Sequence, residues 1–80
     1  MLVMITHAKI ETLIREKLPD AVVQTQDRTG TLDHYNVSVV SREFAGMSLL
    51  DRNRLIYAAL GEALKDGSLH AVEIKTGTPA

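Results

Sequence analysis

The chain has 80 residues, enough for one domain with one core, and at this size the core is only marginally able to carry the fold. Hydrophobic residues make up 45%, but with one Phe, two Tyr and no Trp that core must be aliphatic. No cysteine is present, which excludes disulfides, thiol nucleophiles and CxxC metal sites. The formal net charge of −1 argues against a dedicated duplex-binding domain, which is usually clearly basic.

The opening Met1-Leu2-Val3-Met4-Ile5 is apolar but too short for a signal h-region, and no run reaches the roughly 18 apolar residues of a membrane span. Thr6 reads as the N-cap of a first helix, with Ile5 and Ile10 placed as a hydrophobic staple. Ile10, Leu13, Ile14 and Leu18 then repeat at helical spacing, and Pro19-Asp20 closes the helix. Ala21 to Thr25 is β-branched and predicts a strand. Gln26 to Asp33 is loop chemistry around Gly30. His34 to Ser41 alternates, with Tyr35, Val37 and Val39 on one face and His34, Asn36 and Ser38 on the other. These two strands predict an antiparallel hairpin.

Ser48 is a good N-cap with Asp51 three residues on, and the pattern predicts one helix from there to about Lys65, stopped by Lys65-Asp66-Gly67. Its core stripe is Leu49, Ile56, Leu60 and Ala63, with Leu64 at the edge. Asn53 falls near the stripe, Arg52 on its flank, and Arg54 in solvent. Leu69 to Thr76 predicts the last strand, with Val72 and Ile74 inward and Glu73 and Lys75 outward. A right-handed crossover makes this strand parallel to the second. The expected architecture is α+β: an α-β-β-α-β domain with a three-stranded mixed sheet and both helices on one face. The whole of 1–80 is one domain, with a core over 6–76 and flexible ends.

No GxSxG, HExxH or GxxxxGK[ST] motif occurs, and carboxylates such as Glu43 and Glu62 have no evident partner, so no enzyme is expected. His7 reads as a surface residue. His34 begins the second strand and His70 is the second residue of the third; these strands run in parallel, so both histidines fall at the same end of the sheet. Two imidazoles are half of a tetrahedral metal site, and no thiolate is available to complete it. Two unrelated surface histidines are the simpler alternative, and the opposite parities of His34 and His70 favour it. Arg52 and Arg54 sit where cations oppose the helix dipole; a solvated helix entrance and a binding surface both remain open.

The stretch from Asp33 to Leu64, followed by Leu69 to Pro79, resembles the BolA family. Phe44, Gly46, Ser48, Leu49, Arg52, Arg54, Tyr57, His70 and Pro79 match the family pattern position by position, and the likeness covers Ile10 to Pro79. The Asp66-to-Thr76 ending looks closest to the short YrbA-like bacterial branch. The resemblance implies a fold related to the class II KH domain and a non-enzymatic, cytoplasmic, stress-linked protein. It implies pairing with a monothiol glutaredoxin and a shared two-iron, two-sulfur cluster, with none bound by the free protein. This chain would supply His70 and, as the second ligand, His34; the partner would supply its Cys and a glutathione thiolate. Alone, the protein is expected to be a monomer or weak dimer, with no membrane association.

The family is also described as transcriptional regulators, so a nucleic-acid surface of Gly46, Ser48, Arg52, Arg54 and Lys75 is the alternative use of the same residues that would form a partner surface. No GXXG loop is present, which weighs against RNA binding in the KH mode. Asn53 stands where many relatives carry a His between the two arginines, and the sequence stops at Ala80, before the last helix of many relatives. A surface built on that helix is expected to be absent.

Overall fold

The structure is a computed structural model, and it describes residues 5–27, 34–69 and 71–79. The elements in chain order are α1 (His7–Lys17), β1 (Val22–Asp27), β2 (His34–Val40), a 3-10 turn at Arg42–Phe44, α2 (Leu49–Ala59), α3 (Gly61–Asp66) and β3 (Ala71–Gly77). The sheet order is β1-β2-β3, with β1 antiparallel and β3 parallel to the central β2. This is the expected α-β-β-α-β topology, with β-branched alternation building the strands and helical spacing building the layer over them.

Local capping sets the helix starts. The Thr6 hydroxyl accepts from the Lys9 N–H at 3.2 Å, and the Ser48 hydroxyl accepts from the Asp51 N–H at 3.1 Å. Ile5 and Ile10 are both buried, as the staple requires. Gly67 ends α3 in the left-handed region at φ 83°, a conformation that a side chain with a Cβ adopts only with strain.

One core lies between the helices and one sheet face. Ile10, Leu13 and Ile14 from α1, Ile56 and Ala59 from α2 and Ala63 from α3 meet Val23, Tyr35, Val37 and Val39, with Phe44 and Leu60 filling between them. Val22, Gln24 and Gln26 on β1 and Glu73 and Lys75 on β3 stand on the opposite, open face.

Three expectations are corrected. The long helix is two: at Leu60 the backbone opens to φ −94°, ψ 5°, and a new helix starts at Gly61, the poorest helix former after proline. Leu49, the first residue of α2, is 67% exposed rather than in the core. Val72 and Ile74 are half-buried, packed against the core cluster from its margin rather than within it. Ile5 is buried, donates its N–H to the Ser68 carbonyl and accepts from the Tyr35 hydroxyl, and Gly77 accepts from the Ser41 N–H.

Candidate partner-docking and metal-ligand site

The β2–β3 ladder decides where the histidines can act. His34 opens β2 and pairs with Ala71, the chain neighbour of His70. Residues paired across a parallel ladder share a face, so His34 joins Asn36 and Ser38 on the open face, the parity the alternation predicts. It is half-buried there. His70 itself lies outside the described residues. Among the described residues no three His, Cys, Asp or Glu groups converge on a metal. With no cysteine in the chain, the donor set does not build a resident iron–sulfur site; it fits only a cluster whose thiolates come from another molecule.

The arginines that bracket Asn53 have different jobs. Arg52 donates from Nε to the Met47 carbonyl at 3.2 Å, and its guanidinium lies 5.6 Å from the centre of the buried Phe44 ring. It ties the connector between β2 and α2 onto the helix. Arg54 is 71% exposed and only loosely paired with Asp51, at 3.9 Å. Asn53 turns toward the core, and its Oδ1 is buried with no hydrogen-bond partner.

Of the other candidate surface residues, Gly46 occupies a turn at φ 82° and Ser48 spends its hydroxyl on the cap. Lys75 pairs with Ser38 and stands on the open face, beside Asn36, Gln26 and Glu73. α2 lies on the other side of the sheet. The structure therefore does not bring Lys75 together with Arg54, and the five residues do not form one patch.

A polar clamp not foreseen in the sequence holds the connector. Asp20, in the turn after α1, accepts from the Ser41 hydroxyl at 2.7 Å and from the Arg42 N–H at 2.8 Å, with the Arg42 side chain 3.6 Å away. The Ser41 hydroxyl, and next the Arg42 N–H, hold the Asp20 carboxyl below the ordinary carboxylate range. In the sequence only the Asp after Pro19 hints at it, within a pair whose pattern predicts a helix stop. His7 is also more than a bystander: its Nδ1 is 2.7 Å from the Thr25 hydroxyl, tying α1 to β1, and its Nε2 is 3.7 Å from Glu11.

This fold and its paired strand starts define a small α+β domain of the class expected from the motifs, and comparison with known proteins agrees. A family model described as BolA-like protein matches residues 6–80. Human BolA-like protein 1 is 39% identical over 81 residues, which cover 92% of this chain and 58% of that protein. The chain thus spans less than two-thirds of the human relative. Among solved structures, BolA1 from Arabidopsis thaliana superposes with a TM-score of 0.81 at 32% identity, covering 91% of this chain and 90% of that one. The BolA domain of SufE1 from the same plant gives a TM-score of 0.79 at 33% identity, covering 91% of each. The chain belongs to the BolA-like family.

Proposed function

We propose that this chain is a non-enzymatic adaptor that docks a monothiol glutaredoxin and shares with it, and with glutathione, a two-iron, two-sulfur cluster. His70 and His34 would be its ligands, and cytoplasmic iron–sulfur trafficking or redox regulation would be its setting. The observation that carries the reading is the parallel register, in which His34 sits across from the residue that follows His70. Family membership supports it, and so does the likeness to a BolA domain carried within a SufE protein, which associates this kind of domain with iron–sulfur chemistry. The cluster would supply redox-active iron held by sulfur; this chain's part would be to hold it through the imidazoles of His34 and His70.

The test is the visible spectrum of the mixed cluster assembled from the protein, a monothiol glutaredoxin, glutathione, iron and sulfide. His70→Ala changes the spectrum and makes the cluster more labile while leaving the fold intact; His34→Ala does so less. An unchanged spectrum in the His70→Ala protein removes the ligand assignment. Regulation through nucleic acid is the weaker reading. Arg52 is engaged within the fold, and Arg54 and Lys75 lie on opposite sides of the sheet, which leaves no continuous cationic footprint among the described residues.

A further inference from the structure

Among the described residues four large apolar side chains stand exposed, and three of them, Leu49, Leu50 and Tyr57, belong to α2. Apolar residues scattered singly over a surface need no explanation, but these do not scatter. Leu50, Arg54 and Tyr57 follow one another at i, i+4 and i+7, so they share one stripe on the helix. Leu50 is 57% exposed and Tyr57 is 46% exposed, and they lie about 10 Å apart along the axis. Arg54 stands between them, held only at 3.9 Å by an Asp51 that is itself 59% exposed. An aromatic, a leucine and an arginine on a rigid helix are the residue types that anchor protein interfaces.

The charge at the centre says what covers this stripe. A second copy docked about a two-fold axis, with Leu50 against Tyr57, would bring its own Arg54 to the axis beside this one. Two guanidiniums desolvated side by side repel. The complementary surface is instead apolar at two points with a carboxylate between them, where Arg54 can exchange its loose pairing with Asp51 for a desolvated, bidentate one. We infer that the Leu50–Arg54–Tyr57 stripe of α2 is where the partner docks, through an apolar surface bearing a central carboxylate. It docks without the cluster and independently of the histidines. This rests on the glutaredoxin reading above, with the partner held by α2 and the cluster held at the strand ends.

The experiment titrates the protein with a monothiol glutaredoxin by calorimetry, with no iron, sulfide or glutathione present, and assembles the mixed cluster in parallel. The wild-type protein binds. The double variant Leu50→Ser/Tyr57→Ser and the single variant Arg54→Glu each weaken binding at least about tenfold, and Arg54→Lys falls between. His34→Ala and His70→Ala bind as the wild type does. Leu50, Arg54 and Tyr57 are solvent-exposed, and an unchanged thermal midpoint verifies that the stripe variants fold. Wild-type affinity in the stripe variants overturns the inference while a mixed cluster still forming leaves the proposed function standing. Binding that requires the cluster overturns it as well. A wild-type protein that gives neither apo binding nor a mixed cluster overturns both readings. A free protein that sediments as a dimer, and becomes monomeric in the stripe variants, assigns the stripe to a second copy and also overturns the inference.

Discussion

Asp20 shows how much one side chain does in a domain of this size. Its carboxylate receives the Ser41 hydroxyl and the Arg42 N–H, so it joins the end of α1 to the exit of β2. Asp66 plays a smaller version of the same part, accepting the Ser68 N–H at 2.9 Å in the turn before β3, and its carboxyl too is held below the ordinary range by Ser68. Both groups are depressed in the folded state. Their contribution to stability is therefore complete above the unfolded carboxylate value and is lost as pH falls through the lower folded values. Asp20→Asn removes the charge and flattens the acid limb of the denaturation profile, which urea midpoints taken from pH 6 down to pH 2 will measure. An acid limb as steep in Asp20→Asn as in the wild type would show that the clamp is not what titrates. Tyr35 works in the opposite sense. Burial, and then the charge of Asp27, raise its phenol above the ordinary value, so its contribution is present below the unfolded value and declines as pH rises toward the folded one.

At the scale of elements, the break at Leu60 is the feature that propensity explains best. Gly61 has no positive φ, and a Cβ built on it meets nothing within 4 Å. Gly61→Ala therefore removes backbone freedom from the unfolded chain without strain and stabilises the protein by about 0.4–1 kcal/mol. Gly67→Ala does the reverse: its φ of 83° forces an L side chain into the left-handed region, at a cost of about 1 kcal/mol. Chemical denaturation of the pair decides whether the α2–α3 break is a consequence of glycine or a demand of packing; a destabilised Gly61→Ala protein would indicate the second. At the entrance of α2, Ser48→Ala leaves the Asp51 N–H without its acceptor and costs about 0.5–2 kcal/mol, whereas Arg54→Ala, on the exposed stripe, stays within roughly 0.5 kcal/mol of wild type.

For the molecule as a whole, stability rests on one aliphatic core with Phe44 at its centre, and that core has little redundancy. Ile56 is fully buried between α1 and the sheet layer, and Ile56→Ala costs about 2–5 kcal/mol. Against a total of about 5–15 kcal/mol for a domain, the variant sits near its unfolding limit at 37 °C, which a thermal melt will show as a large drop in midpoint. A loss under about 1 kcal/mol would mean that the core closes around the missing methyls. The surfaces proposed for function lie outside this core, so they can be varied without it: His34 on the open face of the sheet, the exposed Leu50–Tyr57 stripe on α2.

Whatever depends on near neighbours in the chain was determined by the sequence alone. The caps at Thr6 and Ser48, the stop at Gly67, the alternation of Tyr35, Val37 and Val39, the topology and the open-face parity of His34 all follow from spacings of a few residues, where backbone geometry leaves few choices. Tertiary structure decided what contacts distant in sequence impose. Arg52 belongs to the fold because the Phe44 ring and the Met47 carbonyl happen to lie beside it, and Arg54, two residues on, has neither. Asp20 and Ser41 are distant in the chain and meet only when α1 and the sheet are packed. Leu49 has the periodicity of a core residue and is exposed; Ile74 has the alternation of a core strand and is only half-covered. Periodicity names the face a side chain takes, but only the extent of the neighbouring layer decides whether anything lies against that face.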